Sequence, residues 1–425
     1  MIQIINSLRR VRLRDILRKQ STFGSQLNYF FAQKMDDDVD FETKKKAFGW
    51  CREYLGGSWL EIEFKDFQIR NMHIPSSDLS TIFTGPPSQE LEDLNIAGLT
   101  NYIYECSLPD KVSQLAQEPR HVLLRVFGEI FVEGDTPLLD TVIFTLLSER
   151  NHSPHLFGVF PEGRLEEFIP SRSLRTEELS QPQMSEAIAR KLAVFHQLKL
   201  PLCKVPRWVD DILYRWTEAA SRVTIEDVQE KELFQKMKTV DFFKEAAFLS
   251  KLVADTTSPV VFSHNDCQEG NILFLNDKSK SLEDNLVLID YEYASYNFSA
   301  YDFANHFNEW TMDYSRSEPP YYKITKTNFP TRQEQVFFLK AYDKKLKEMG
   351  YLSDELGDYD ERLREIQRFV AVNHFLWSLW SVIQAKMSKT TFGFLEYAWD
   401  RFCLYKDSID NLPKDMLHRI KRPSS

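Results

Sequence analysis

The hydrophobic pattern of this chain changes near residue 170, and that change constrains the fold more than any other feature. Residues 95–170 contain strand-like apolar runs at 101–108, at 121–128 and twice within 155–169, and a helical pattern at 136–150. Enrichment in Val, Ile and Tyr predicts strands for the runs, whereas apolar spacings of three and four predict a helix. The order β-β-α-β-β predicts a small sheet with one long helix.

Beyond residue 170 the pattern is mainly helical. Helical periodicity covers 185–198, 208–220, 232–255 and most of the chain after 301, and it is also present at 45–55. We therefore predict an α+β fold, in which a small N-terminal β-sheet lobe with one long helix joins a larger, mostly helical C-terminal lobe. The predicted divisions are a basic extension with an acidic linker (1–44), an N-lobe that binds nucleotide (45–170) and a C-lobe (171–425).

The charge distribution and the cysteines indicate which partners and which cellular compartment to expect. The net charge is −10 although residues 1–34 carry seven Lys/Arg and one acid, so the remaining chain is acidic. An acidic body argues against nucleic acid as a partner and suits a small cationic substrate. Five scattered cysteines without C-x-x-C spacing indicate a reducing compartment, so we expect the cytoplasm.

No apolar run is long enough to predict a transmembrane segment. The basic, amphipathic N-terminus lacks the long apolar core of a secretory signal. It is open to interpretation as a frayed or docked terminus, a mitochondrial presequence or a membrane-surface helix.

The stretch FSHNDCQEGNILF (262–274) places polar side chains between two strand-like runs. Asp266 and Asn271 are five positions apart, and Asp290 follows another strand-like run. Phosphoryl transfer from a nucleotide needs an Asp that takes the hydroxyl proton, and an Asn and a second Asp as magnesium ligands. A polar turn would also use these residue types. The added Asp290-x-Glu292 favours a catalytic loop.

Three stretches resemble the choline/ethanolamine kinases: SPVVFSHNDCQEGNILF, LVLIDYEYASYNFSAYDFANHFNEW and HFLWSLW. The resemblance covers residues 45–410 and implies the two-lobed fold of protein kinases and aminoglycoside phosphotransferases. It also implies ATP- and Mg²⁺-dependent phosphorylation of the choline hydroxyl to phosphocholine, the first step of phosphatidylcholine synthesis from choline. Two alternatives stay open: an ethanolamine kinase, and a catalytically inactive choline-binding or scaffold relative. A homodimer is a further expectation from the family.

The resemblance implies roles for the residues of the polar loop and its neighbours. Asp266 falls on the catalytic base and contacts substrate, Gln268 lies beside the transferred phosphoryl group, and Asn271 and Asp290 are metal ligands. Gln268 and Asp290 are also expected to contact ATP. Further along, Asp302 and Asn305 are interpreted as loop-fixing groups, and His264 and His306 as structural histidines.

In the N-lobe the resemblance implies an ATP site, with Arg125 as the phosphate-pairing catalytic residue. The remaining ATP-binding candidates are the phosphate loop Ala97, Gly98, Leu99, Thr100 and Asn101, and the hinge residues Glu167, Phe168 and Ile169. Ala97 replaces a family glycine, which restricts the backbone if φ is positive there. Asp140 stands where a Glu should hold Arg125. These departures motivate the hypothesis of an inactive relative.

The family's choline pocket maps onto aromatic and acidic residues of the C-lobe. Choline carries a quaternary ammonium without N–H groups, so cation–π contacts of about 0.5–2 kcal/mol each and a nearby carboxylate must hold it. The corresponding positions are Tyr293, Glu309, Tyr314, Trp377, Trp380 and Tyr397. A Trp-x-x-Trp pair alone is more often core, but here it accompanies the catalytic loop. The aromatic set favours choline over ethanolamine.

Overall fold

The computed structural model describes residues 39–72, 101–113, 115, 118–127, 136–225, 228–351, 358–388 and 392–417. The backbone divides into two compact units, 1–170 and 171–425. The basic N-terminus and residues 97–100 of the phosphate loop lie outside the described residues. Within the described part of the chain, no helix has both the length and the apolarity needed to cross a bilayer.

The first unit contains one five-stranded antiparallel sheet and flanking helices. The strands follow the order β1-β2-β3-β5-β4 across the sheet. Its elements are helices α1 (Phe41–Leu55), α2 (Ser58–Glu61) and α3 (Thr136–Ser148), and strands β1 (Gln68–Asn71), β2 (Asn101–Ser107), β3 (His121–Phe127), β4 (Leu156–Phe160) and β5 (Gly163–Glu167). The predicted β-β-α-β-β order is confirmed, and β1 is an additional edge strand.

Helix α1 begins earlier than its apolar periodicity indicates. Asp40 accepts a hydrogen bond from the Thr43 backbone N–H at 2.9 Å and so caps the helix at Phe41. Capping by Asp satisfies a backbone donor that the first helical turn cannot satisfy itself. Residues 41–44, which were predicted to belong to the extension and linker (1–44), therefore lie in the first helix of the folded unit.

The second unit is mostly helical, with short strands at its functional loops. Its helices are α4 (Thr176–Leu179), α5 (Pro182–His196), α6 (Trp208–Arg222), α7 (Val228–Lys238), α8 (Phe242–Ala254), α9 (Ser299–Glu309), α10 (Arg332–Glu348), α11 (Tyr359–Met387), α12 (Phe394–Asp410) and α13 (Lys414–Leu417). Its strands are β6 (Arg172–Ser173), β7 (Val260–Ser263), β8 (Ile272–Phe274), β9 (Leu286–Leu288), β10 (Ser295–Phe298), β11 (Met312–Asp313) and β12 (Lys323–Ile324). β7 pairs with β10, and β8 lies between β6 and β9.

The prediction of one helix over 232–255 is wrong, because the segment contains the end of α7 and the whole of α8. Asp241 accepts hydrogen bonds from the backbone N–H groups of Phe243 and Lys244 at 3.1 and 3.2 Å. An Asp that caps a new helix competes with continuation of the previous one. The periodicity on both sides of the break is unaffected.

Candidate active site

The polar loop between β7 and β8 holds Asp266 and Asn271 in direct contact. Asn271 Nδ2 donates to the backbone oxygen of Asp266 at 2.9 Å and to its Oδ2 at 3.0 Å. Because both amide hydrogens are directed to Asp266, the Asn271 amide oxygen faces away from it. Gln268 Oε1 accepts from the Gly270 backbone N–H at 2.6 Å and caps the short 3₁₀ turn Glu269–Asn271.

Asp302, on α9, holds the start of this loop. Its Oδ2 accepts from the His264 backbone N–H at 2.7 Å, and its Oδ1 accepts from that of Asn265 at 2.6 Å. Oδ2 also lies 2.9 Å from His196 Nε2. Asn265 has φ +66°, a left-handed conformation that Asn tolerates better than most residues. Asp302 is thus a loop-fixing group, as expected.

The same interpretation is wrong for Asn305. Its Oδ1 accepts from the Trp377 indole N–H at 3.0 Å and from Asn373 Nδ2 at 2.7 Å. Asn305 lies on α9 three residues after Asp302, so the two side chains share a helix face but serve different elements. Asn305 positions an aromatic residue of the predicted cage.

Two histidines near the loop are structural. His264 Nε2 donates to the Ile289 backbone oxygen at 2.9 Å, and burial lowers the pKa of its ring. His306 Nδ1 donates to the Cys267 oxygen at 3.1 Å while its Nε2 accepts from Trp310 at 3.2 Å. Burial lowers the pKa of His306 to about 4, so this ring is neutral near neutral pH.

Asp290 follows β9, where the backbone brings it next to the polar loop. The Ile289 N–H donates to the Asn271 backbone oxygen at 3.0 Å, and Asp290 itself has φ +63°. A left-handed Asp at such a junction is the kind of backbone strain found at functional sites. Burial, together with the carboxylates of Glu309 and Asp290, raises the pKa of Asp266 well above its usual value. The site is therefore rich in negative charge.

The donor set fits a magnesium ion held mainly by phosphates and water. Asn271 presents its amide oxygen, and Asp290 supplies a carboxylate two residues after the end of β9. Among the residues that the structure describes, no group of three or more His, Cys, Asp or Glu side chains could hold a metal ion. Mg²⁺ commonly takes only one or two protein oxygens in nucleotide sites.

One half of the predicted cage is a cluster of aromatic rings. Trp377 lies 5.5 Å from Trp380 and 5.6 Å from Tyr293 between ring centroids, in both cases edge to face. Trp216 on α6, which was missed from the sequence, lies 5.9 Å from Trp377 and 6.0 Å from Tyr293. Helical periodicity gave no sign that it joins this cluster.

The other half combines Glu309, Tyr314 and Tyr397 with a residue that sequence reasoning missed, Arg401. Tyr314 donates to Glu309 Oε2 at 2.9 Å, and its hydroxyl lies 2.6 Å from that of Tyr397. Arg401, which is buried, forms an ion pair with Glu309 Oε1. The signal available in the sequence was its position four residues after Tyr397, on the apolar face of α12. The negative charge of Glu309 is thus already compensated inside the protein.

In the first unit, Arg125 belongs to a buried charge network. Arg125 Nε and Arg164 Nε donate to the same Glu166 oxygen at 3.0 and 2.6 Å. Arg164, also missed from the sequence, forms an ion pair with Asp140. Burial alone would raise the pKa of Glu166, but the two guanidinium groups hold it below its ordinary value. Asp140 therefore contributes to the network that surrounds Arg125 through Arg164.

The predicted hinge follows this network along the chain. Glu167 is the last residue of β5 and accepts from the His155 backbone N–H at 3.0 Å. The Phe168 ring lies 5.7 Å from that of His121, and Ile169 follows. Of the phosphate loop, Ala97, Gly98, Leu99 and Thr100 lie outside the described residues, and Asn101 begins β2 opposite Phe127. The nucleotide-contacting roles of these residues stay predictions.

Comparison with known proteins identifies the family. The family model for choline/ethanolamine kinase matches residues 94–406. A choline/ethanolamine kinase of Homo sapiens is 39% identical over 366 residues, covering 86% of both chains. Choline kinase alpha of Mus musculus is 36% identical over 394 residues, covering 88% of this chain and 82% of the relative.

A solved structure supports the fold. Choline kinase from Cryptosporidium parvum Iowa II superposes with a TM-score of 0.64 at 24% identity, covering 88% of this chain and 96% of that one. The predicted kinase-like α+β fold, with a small sheet-containing part and a larger helical part, is confirmed. The family model covers most of the chain and both relatives are more than one third identical to it over the aligned residues, so this chain belongs to the choline/ethanolamine kinase family.

Proposed function

We propose that the protein is a choline kinase that uses ATP and Mg²⁺ to convert choline to phosphocholine, the first step of phosphatidylcholine synthesis from free choline. The observation that carries the proposal is the pairing, within one unit, of the loop carboxylate Asp266 with an aromatic cage that contains Glu309. Asp266 is tied to Asn271 by two hydrogen bonds, and its pKa responds to the cage residues Glu309 and Arg401. A small alcohol with a cationic group matches both features.

Asp266 acts as the base in the proposed reaction. Its carboxylate takes the proton of the choline hydroxyl as that oxygen forms a bond to the γ-phosphorus of ATP, and the bond between that phosphorus and the ADP oxygen breaks. Asn271 fixes the orientation of Asp266 through its amide. Asn271 and Asp290 would hold Mg²⁺, which when bound neutralises charge on the phosphate oxygens.

ATP is assigned to residues of the first unit on the strength of the family resemblance. Arg125 would bind phosphate oxygens, and the buried network with Glu166 and Arg164 sets the orientation of its guanidinium. The loop 97–101 would contact phosphate, and the backbone of 167–169 the adenine. The family resemblance also assigns ATP contacts to Gln268 and Asp290.

Two alternatives give different results in an activity assay. An ethanolamine kinase is supported by the acidic surroundings of Asp266, since carboxylates accept hydrogen bonds from a primary ammonium. An inactive choline-binding relative is supported by Ala97 in the phosphate loop. Against the inactive relative, Asp266, Asn271 and Asp290 are all present, and the first two are hydrogen-bonded together.

We place the reaction in the cytoplasm. All five cysteines are free, including Cys51 and Cys106, which are both buried. A reducing compartment keeps such a pair as thiols. Assembly as a homodimer stays a prediction from the family resemblance.

The proposal is tested with the purified full-length protein. ATP consumption is measured with choline, with ethanolamine and without acceptor, and the phosphorylated product is identified by mass spectrometry. Choline should give the highest turnover, and phosphocholine should form only when Mg²⁺ is present. Asp255→Asn, at an exposed helix end, serves as a matched control for Asp266→Asn. ATP consumption that does not depend on either alcohol would refute the proposal.

A further inference from the structure

Four side chains of the cage form a closed ring of hydrogen bonds. Arg401 Nη2 donates to Glu309 Oε1, and Arg401 Nε donates to the Tyr397 hydroxyl at 2.8 Å. The Tyr397 and Tyr314 hydroxyls are 2.6 Å apart, and Tyr314 donates to Glu309 Oε2 at 2.9 Å. The Arg401 and Glu309 side chains are only 1% and 3% exposed, so water competes little for these bonds.

The geometry determines where each hydroxyl hydrogen points. Tyr314 uses its hydrogen on Glu309, so in the contact between the two hydroxyls Tyr397 must donate and Tyr314 accept. Tyr397 in turn accepts from Arg401, because a guanidinium has only donors. Both hydroxyl hydrogens thus point at protein acceptors, and each oxygen of Glu309 already receives one donor.

Arg401 is itself held in place by further contacts. Its Nη1 lies 3.1 Å from His374 Nδ1, and its guanidinium carbon lies 5.1 Å from the centroid of the Tyr397 ring. Because the planar guanidinium of Arg401 is held by several contacts, it holds its hydrogen-bond partners in one orientation, whereas a flexible lysine would not. The ring is therefore a rigid feature of the cage wall.

We propose that Arg401 is a positioning residue that determines specificity: by closing the ring it occupies the polar acceptors of the cage and favours a quaternary over a primary ammonium. This inference rests on the proposed function. The trimethylammonium group of choline has no N–H and needs only aromatic faces and negative charge. The ammonium group of ethanolamine has three N–H donors that lose water on binding. In this part of the cage the Glu309 carboxylate already shares its charge with Arg401 and Tyr314, so each of its oxygens is a weaker acceptor for such a donor.

The test measures kcat/KM for choline and for ethanolamine in the full-length protein and in two ring variants. Arg401→Lys keeps the positive charge but lacks the planar fork. Tyr314→Phe keeps the aromatic ring and both charges but removes the donor to Glu309 Oε2. In each variant the ratio of choline to ethanolamine efficiency should fall about tenfold, since a carboxylate acceptor becomes available to the substrate. If Arg401→Lys does not fold, Tyr314→Phe alone decides.

Tyr405→Phe is the matched control. Tyr405 lies on the same helix, and its hydroxyl donates to Glu245 outside the ring. Its ratio should equal that of the wild type. A ratio unchanged in a folded ring variant, or an equal loss of both activities, would overturn the inference. A wild-type protein that phosphorylates neither alcohol would refute the proposed function, and the inference with it, before any variant is compared.

Discussion

Replacing Asp302 by Asn should release the catalytic loop from α9 while hardly changing side-chain volume. Asp302 is fully buried and accepts from the backbone N–H groups of His264 and Asn265 through different oxygens. Asn has a single acceptor oxygen, so one of these N–H groups would face an NH₂ group instead. His196 would lose the charged partner of its Nε2.

The size of the effect follows from these bonds. A hydrogen bond to a charged group contributes about 1.5–3 kcal/mol, and a buried donor left without an acceptor adds a desolvation cost. We expect the free energy of unfolding to fall by about 3–5 kcal/mol, the range for breaking a buried pair. Since a displacement of about 1 Å near the chemistry can reduce the rate about 10²-fold, kcat should fall to roughly that extent.

The assay combines denaturant unfolding with turnover at saturating ATP and choline, corrected for the folded fraction. Asp343→Asn is the matched control, because Asp343 is also buried and accepts from Tyr359 at 3.0 Å and Arg362 at 2.6 Å away from the loop. The control should lose comparable stability and keep its turnover. If Asp302→Asn kept wild-type turnover in its folded fraction, the claim that Asp302 positions the catalytic loop would be refuted.

Five further outcomes are expected. Asp266→Asn should bind ATP normally but lose about 10²–10⁴-fold in kcat, the usual contribution of a general base; more than a tenth of wild-type turnover would remove it from that role. Asp290→Ala should abolish Mg²⁺-dependent turnover. If high Mg²⁺ concentrations restored the turnover of this variant to the wild-type value, Asp290 would be only a minor ligand of the metal. Trp380→Leu, at a partly exposed position, should raise the KM for choline about 5–30-fold and that for ethanolamine less. Trp377→Leu should in addition lower thermal stability, because this indole is 8% exposed and hydrogen-bonded to Asn305; equal behaviour of the two variants would contradict this. His306 has a pKa of about 4 in the folded protein and an ordinary value of 6.5 when unfolded, so the unfolded chain binds more protons below pH 6.5. Its contribution to stability, about 3 kcal/mol, is present above pH 6.5 and should be lost as the pH falls to 4, with a weaker dependence in His306→Gln.

Much of the fold could be predicted because its elements carry strong local patterns. Strands β2 to β5 and helix α3 lie within a residue or two of the apolar runs that predicted them. The contact between Asp266 and Asn271 was also predictable, since five residues across a short turn bring the two side chains together. Local patterning failed at Asp241, where a capping side chain interrupts a continuous helical periodicity.

The residues that were missed depend on contacts between distant parts of the chain. Trp216 contacts Tyr293 and Trp377, and Arg401 contacts Glu309, so neither role is visible in its own helix. Asn305 was assigned to the loop because of its neighbour Asp302, but the helix turns its side chain towards Trp377. Sequence spacing identifies which residues share a helix face, whereas the partner across the interface depends on tertiary packing.

Each unit thus contains a buried glutamate held by arginine: Glu166 by Arg125 and Arg164, and Glu309 by Arg401. Stability does not explain such pairs, because apolar residues of similar volume are often as stabilising as a buried ion pair. A guanidinium group instead fixes orientation, because its planar set of N–H donors holds the carboxylate and any other acceptor that it contacts. In the second unit the hydrogen bonds continue from Arg401 through two tyrosine hydroxyls and return to the same carboxylate. In the proposed cage, the closed ring around Arg401 would engage the polar atoms and fix the ring faces of Tyr314 and Tyr397, as a cation without N–H donors requires.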